Sequence, residues 1–356
     1  MTRVTDNYRL IRKIGSGGFS SIYLAENEFG EQVAIKSIKK RSNASSDYYF
    51  REARIHYLLS QFDEKIVKFY EMYEDDEYVH FVLEYLPGGD LFDTLINQMK
   101  MKKFYSEKII KNIIKNLLQS VQTMHANNIV HRDLKLENLL LVNKADQVPN
   151  IKLADFGLAV EDITGDNITT FAGTPLYMAP ENHRKESYGK PVDIWAVGLI
   201  TYLLFCGNLP FGNDENFVKA RVLKGEFQFR EKEWQNSSSL MRDFIKNMLK
   251  IDPRLRPTVE ESLNHPWFHY DDDEMIDLLA TMSVAVESRK RVLSDIDEES
   301  KRRKVMNESS TMTTGRCCPE DDTCFQCLDA IYNLNPADKS TRLLIPPMET
   351  IFSIVH

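Results

Sequence analysis

The sequence has no long apolar run. Its most apolar stretch, residues 194–206, is too short to span a bilayer and reads as a buried core helix. Residues 1–7 are polar and carry no apolar segment of the secretory kind. Cysteine is scarce, five in 356 residues, and four of them cluster at Cys317, Cys318, Cys324 and Cys327. Without a secretory leader, that usage points to a reducing compartment and not to a disulfide framework. A positive balance is also lacking: Lys and Arg number 45 against 53 Asp and Glu, a formal net charge of −8. Such a chain has no bulk attraction for nucleic acid or anionic lipid. Neither nucleic acid nor membrane is expected as a partner unless a local patch supplies the charge. No internal repeat is visible.

What is present is an ordinary globular composition, 42% hydrophobic and 28% charged, in a chain long enough for one large two-lobed domain plus an extension. Short runs rich in Ile, Val and Tyr predict strands over 9–14, 21–26, 32–38, 68–73 and 78–83. Residues 47–60 interrupt them with Arg, Glu, Ala and Leu at helical spacing. After Pro87-Gly88-Gly89 the period changes to helical. Ile109, Ile110, Ile113, Ile114, Leu117, Leu118, Val121 and Met124 form one apolar stripe; Leu240, Met241, Phe244, Ile245, Met248 and Leu249 form another. Both read as core packing. Thr258 with Glu261, after Pro257, has the pattern of a capping box. The fold class predicted is α+β: a strand-rich lobe over about 8–85 with one main helix, and a mostly helical lobe over about 90–268. Past Phe268 the composition turns to Asp, Ser, Glu, Lys and Arg, so 269–356 reads as a mostly disordered regulatory or targeting tail.

Between the first two predicted strands lies Gly15-Ser16-Gly17-Gly18-Phe19-Ser20. Glycines let backbone N–H groups approach phosphate oxygens closely. Alone, such a hairpin is often only a turn. Its weight comes from Ile14 and Ile22 beside it and from Val33-Ala34-Ile35-Lys36 on the facing strand. A lone strand lysine is usually a surface residue; a functional one needs a carboxylate, and Glu52, on the small lobe's helix, is best placed. Downstream stand His131-Arg132-Asp133-Leu134-Lys135-Leu136-Glu137-Asn138, then Asp155-Phe156-Gly157, then Met178-Ala179-Pro180-Glu181.

In this order the motifs resemble those of eukaryotic protein kinases. Lys135, two residues past Asp133, resembles the serine/threonine branch. The resemblance covers residues 8–268. It implies a two-lobed kinase fold, ATP and Mg2+ as cofactors, and transfer of the γ-phosphate to Ser or Thr of protein substrates. Asp133 would orient the substrate hydroxyl, Lys135 neutralise the γ-phosphate, and Lys36, paired with Glu52, bridge the α- and β-phosphates. Asn138 and Asp155 would hold magnesium. Ile14, Gly15, Ser16, Gly17, Gly18, Phe19, Ser20, Ile22, Ala34, Lys36, Glu84, Leu86, Asp90 and Leu140 would line the ATP site, with hinge backbone at 84–86 facing adenine. Ser20 stands where the family pattern has its third glycine. Glu181 is expected to pair with Arg256, and Asp193 to anchor the catalytic loop's backbone. A nucleotide-binding pseudokinase or scaffold is the alternative; it would normally have lost Lys36, Asp133 or Asp155.

Counting back from Glu181, Thr170 aligns with the usual activating phosphothreonine, implying an upstream activating kinase, with Arg132 as its cation. Val160 stands where a second basic residue is common. Thr174 aligns with the residue that bonds Asp133 and Lys135. Leu86-Pro87-Gly88-Gly89-Asp90-Leu91-Phe92-Asp93 and His265-Pro266-Trp267-Phe268 resemble the calcium/calmodulin-dependent and AMP-activated-like kinases. Asp90 and Glu137 together predict a preference for arginine upstream of the acceptor. In the tail, Arg289-Lys290 and Lys301-Arg302-Arg303-Lys304 fit a bipartite nuclear-import signal, giving cytoplasmic or nuclear residence, while a solvated charge run is the plain reading. Ser294 fits an autophosphorylation site. Acidic interruptions argue against a clean calmodulin-binding helix over 275–305. The clustered cysteines lack a second C-x-x-C and read as free thiols in preference to a zinc site.

Overall fold

Alternating β-branched and aromatic residues build the small lobe. A computed structural model describes residues 4–269 except 19, 41–45, 145, 147, 164 and 166. Phe19, the paired basic runs, Ser294, the stretch 275–305 and the clustered cysteines therefore lie outside the described residues. A short helix α1 (Val4–Asn7) leads into β1 (Tyr8–Ser16), β2 (Ser20–Asn27) and β3 (Gln32–Lys39). Helix α2 (Ser46–Phe62) follows, then β4 (Phe69–Glu74) and β5 (Tyr78–Glu84). The five strands make one antiparallel sheet in the order β1-β2-β3-β5-β4. Its period of two sorts the residues. Val33 and Ile35 join Ala25, Val82 and Val4 in one cluster, while Ile38 joins Tyr49, Ala53, Phe69, Val79 and Phe81 in another. The polar start of the chain gave no sign of α1; Val4 tucks it against the sheet.

The large lobe opens with α3 (Leu91–Lys100) and α4 (Glu107–Ala126). Asp90 caps α3 by accepting from the Asp93 amide, and Ser106 caps α4. The α4 stripe from Ile110 to Met124 is buried as its spacing requires; Ile109, in the first turn, is half-buried. Each fully buried Ile or Leu contributes about 1.5–3 kcal/mol. Two antiparallel strand pairs follow, β6 (Ile129–Val130) with β9 (Val160–Glu161), and β7 (Leu139–Leu141) with β8 (Ile151–Leu153). Between β6 and β7 runs the loop 131–138, the catalytic loop of the motif reading.

Helix α5 (Pro180–Arg184) precedes α6 (Pro191–Cys206), which is buried continuously from Val192 to Leu204. A helix apolar all round has to sit inside a core, as the run at 194–206 predicts. It ends at Gly207, whose φ of 76° is the left-handed cap that terminates it. Then come α7 (Glu215–Lys224), α8 (Glu231–Trp234), α9 (Ser239–Met248) and α10 (Val259–Leu263). The Thr258–Glu261 capping box forms in both directions. Among the described residues no helix is long and apolar enough to cross a membrane.

Candidate active site

Antiparallel register decides what faces the cleft. Lys36 stands opposite Ile22 on one side and Phe81 on the other, and Ala34 opposite Leu83. The Lys36 ammonium donates to Glu52 Oε1 and to Asp155 Oδ1, both at 2.7 Å. Glu52 comes from α2 and is only 5% exposed. Burial alone would lower the Lys36 pKa; Asp155 and Glu52 more than offset it, so the ammonium is held well above its usual range. The same charge holds Asp155 well below the usual carboxylate range. The direct Lys36–Asp155 pair was not foreseen from the motifs, being 119 residues apart. It leaves the cation of the cleft balanced by two carboxylates.

The catalytic loop is pinned from beneath. Asp193, at the start of α6, accepts from the backbone amides of His131 and Arg132, each at 2.9 Å, and lies 3.0 Å from His125 Nε2. Burial pushes its pKa up, but the His125 hydrogen bond and nearby histidine charge outweigh that and hold it low. Above this anchor three side chains form a triangle. Thr174 donates its amide and hydroxyl to Asp133 Oδ1 at 2.9 and 2.7 Å. Lys135 Nζ reaches Asp133 Oδ2 at 2.7 Å and Thr174 Oγ1 at 2.8 Å. Asn138 Nδ2 donates to the Asp133 carbonyl at 2.8 Å, which leaves its amide oxygen free of that bond. Gly173, at φ 126°, passes so near the loop that a Cβ would sit 2.7 Å from the Arg132 carbonyl. Only glycine fits there. Arg132 and Asp155 also hold left-handed backbone, φ 72° and 62°, at a cost of about 1–2 kcal/mol each.

Arg132 gathers the segment 155–181. Its Nε donates to the Leu158 carbonyl at 2.6 Å, and Nη1 to both the carbonyl and the hydroxyl of Thr170 at 2.8 Å. Tyr188 completes this nest, its hydroxyl donating to the Thr170 carbonyl at 2.6 Å. Tyr188 was missed by motif reading, since it stands outside every motif. Glu181 and Arg256 form the expected pair, two bonds at 2.6 and 2.8 Å, fully buried.

The remaining nucleotide candidates fall around the same cleft. Gly15 pairs with Ile22 across the β1–β2 hairpin, Ser16 with Ser21, and the Gly17 amide closes the turn on the Ser20 carbonyl at 2.8 Å. Gly17 and Gly18 are exposed and Ile14 is half-buried. The hinge leaves β5 at Glu84, whose carboxylate is held by Lys152 at 2.8 and 2.9 Å. Leu86 is buried, and Leu140 on β7 bridges to Asp90 beyond the hinge. Burial raises the pKa of Glu137, and the nearby charges of Asp133 and Asp90 push it the same way.

A column of rings joins the two lobes and was not read from the sequence. His56 stands 5.4 Å from Phe69 and 4.7 Å from Phe156, and Phe156 stands 5.2 Å from His131. His56 Nε2 bonds the Val67 carbonyl at 2.7 Å. Its spacing from Glu52, one helical turn, was the available signal: the two share a face of α2.

Two lobes, a cleft lysine paired to helix and loop carboxylates, and an Asp-Lys-Thr triangle make a phosphoryl-transfer site. Similarity agrees with geometry. The protein kinase domain family matches residues 8–268. Calcium/calmodulin-dependent protein kinase type 1 of Caenorhabditis briggsae is 35% identical over 284 residues, 79% of this chain and 78% of that one. The type 1 enzyme of Macrobrachium nipponense is 39% identical over 272 residues, 75% and 76%. The type II delta subunit of Oryctolagus cuniculus is 38% identical over 275 residues, 76% of this chain and 50% of that one. The chain belongs to the protein kinase family and is a serine/threonine protein kinase acting on proteins with ATP and Mg2+.

Proposed function

We propose that the Asp133–Lys135–Thr174 triangle is where the substrate hydroxyl is received, and that Lys36 receives the nucleotide phosphates across the cleft. The triangle carries this reading, because it holds a carboxylate and an ammonium side by side. Asp133 orients the serine or threonine hydroxyl and takes its proton; Lys135 turns from Asp133 to the γ-phosphate. Lys36 keeps its charge through its two carboxylates and presents it to the α- and β-phosphates. Asp155 and Asn138 fit a magnesium site. Asp155 is half-exposed and held ionised, Asn138 has its amide nitrogen engaged and its oxygen left over, and no cluster of three acidic, His or Cys ligands exists among the described residues. Magnesium is typically held by such sparse oxygens together with substrate phosphates. When bound it supplies charge neutralisation of the phosphates. The test is radiolabelled phosphate transfer to a serine/threonine peptide array. Asp133→Asn is expected to lower kcat about 10^2–10^4-fold with nucleotide binding intact; unchanged turnover would remove Asp133 from this role. No observation favours a pseudokinase.

The same cleft supports an arginine preference upstream of the acceptor. Asp90 and Glu137 put two carboxylates beside the acceptor triangle, and Asp90 also caps α3. A peptide array ranking proline-directed or acidic sequences first would refute it. Thr170 phosphorylation by an upstream kinase would add a dianion where Arg132 already donates to the hydroxyl. A Thr170→Ala protein of unchanged turnover sinks that idea. The tail's paired basic runs support a nuclear as well as cytoplasmic residence; loss of Lys301-Arg302-Arg303-Lys304 without any change in localisation would dismiss it.

A further inference from the structure

The chain's acidic balance hides one region of opposite sign. From residue 94 to residue 128 there are six lysines, Lys100, Lys102, Lys103, Lys108, Lys111 and Lys115, and a single carboxylate, Glu107. That carboxylate is turned inward. It accepts from the Ser238 amide at 2.9 Å, the Ser238 hydroxyl at 2.5 Å and Trp267 Nε1 at 2.6 Å. Lys100, Lys102, Lys103, Lys108 and Lys115 are exposed and form no ion pair with a carboxylate among the described residues. On α4, Lys108, Lys111 and Lys115 fall at i, i+3 and i+7, one stripe of the helix. At the turn between α3 and α4 the lysines alternate with apolar side chains that face water: Met101 is 63% and Phe104 57% exposed. The next residue, Tyr105, is buried and fixes the turn to the core.

We propose that this turn and the first half of α4 form a docking surface for an anionic membrane, Met101 and Phe104 entering the headgroup layer while the lysines meet lipid phosphates. An acidic peptide would satisfy the lysines alone. Two large apolar side chains held outward between them are what an interface with acyl chains below it rewards. The surface lies away from catalysis: α4 runs from Glu107 toward the catalytic loop, and Lys108 is about 27 Å of helix before Ala126. Lipid binding there leaves the cleft open to nucleotide and peptide. The expectation of no membrane partner rested on net charge, which averages this patch away.

The test is flotation of the full chain with phosphatidylcholine vesicles, with and without phosphatidylserine. Wild type is expected to bind only the anionic vesicles. Each lysine removed should cost about fivefold in partitioning, so Lys102→Gln/Lys103→Gln/Lys108→Gln together should cost about a hundredfold. Transfer to a soluble peptide and the circular dichroism melting curve should stay as in wild type. Phe104→Trp gives an independent reading, since the three native tryptophans are buried. Its emission should shift to the blue with anionic vesicles. Wild type that ignores phosphatidylserine, or that binds polyglutamate instead, overturns the proposal. So does a triple variant that floats undiminished, or binding abolished by replacing Lys301-Arg302-Arg303-Lys304 alone.

Discussion

The two lobes hold their charged groups by different means. In the large lobe one continuous apolar cluster runs from α4 through α6 to α9 and α10, and two of its ion pairs are sealed inside it. Glu181–Arg256 and Asp193–His125 are buried on both sides. In the small lobe two small clusters pack on opposite faces of a sheet, and the charged trio Lys36–Glu52–Asp155, its last member supplied by the large lobe, opens to the cleft. Asp155 is 47% exposed there. Sealed pairs define the shape of the substrate platform. In the proposed function, the open trio is the one that changes partner when a polyphosphate arrives. One lobe is a fixed support, the other a positioned jaw, and substitutions should separate the two.

The largest effect belongs to the support. Glu181→Ala leaves the Arg256 guanidinium buried with only carbonyl partners, and breaking such a pair costs about 3–5 kcal/mol. The melting temperature should fall steeply, with loss of activity following loss of fold. Replacing both Glu181 and Arg256 by apolar residues should recover much of the stability, because the uncompensated charge is gone. A Glu181→Ala protein as stable as wild type would mean that the sealed pair does not define the support.

His56 tests the junction. Burial lowers its pKa from 6.5 to about 4, because the ring is enclosed by Phe69 and Phe156. Between those values the unfolded chain binds a proton that the folded chain does not. Stability is therefore complete above pH 6.5 and falls as pH drops toward 4, by up to about 3 kcal/mol. His56→Leu should flatten that part of the pH–stability curve in chemical denaturation, while losing the bond to Val67 near neutrality. An unchanged acid limb would mean that His56 is not what titrates.

These two examples also mark how far the sequence was legible. Glu181–Arg256 was readable because both partners sit in short motifs with fixed spacing. The catalytic loop, the Asp193 anchor, the strand positions of the small lobe and the capping box were readable for the same reason: local pattern encodes them. His56 belongs to no motif and acts through rings distant in the chain. Glu107 belongs to no motif either, and its partners Ser238 and Trp267 are more than a hundred residues away. Lys36–Asp155 joins two motifs that reading in chain order assigns separate tasks. Helix α1 was invisible because one buried valine is no pattern. Most strand and helix ends lie a residue or two beyond those predicted, and β4 is shifted by one, since caps and ladder bonds, and not hydrophobic period, decide them.

A smaller effect follows from the support's surface. Thr258 closes the capping box of α10, accepting from the Glu261 amide while Glu261 accepts from the Thr258 amide. Thr258→Ala should cost about 1 kcal/mol in denaturant unfolding and leave kcat unchanged. A change in kcat would show that α10 communicates with the cleft, which the picture of a fixed support denies.

The smallest stability effect is expected where the jaw touches the support at the surface. Arg54 on α2 pairs with Glu161 on β9 at 2.9 Å, with side chains 58% and 35% exposed. An exposed pair of this kind contributes about 0–1 kcal/mol, screened further by salt. Arg54→Gln should therefore barely alter unfolding. Its place is nonetheless between the helix that carries Glu52 and the segment that begins at Asp155, so any effect should appear in catalysis. If α2 is positioned by its buried contacts, Lys36 to Glu52 and His56 to Phe156, then Arg54→Gln keeps kcat and KM for ATP near wild type at all salt concentrations. If the surface pair shares in positioning α2, KM for ATP rises in the variant, and wild type approaches that value as salt is added. The second outcome would move part of the jaw's control from its buried face to its rim.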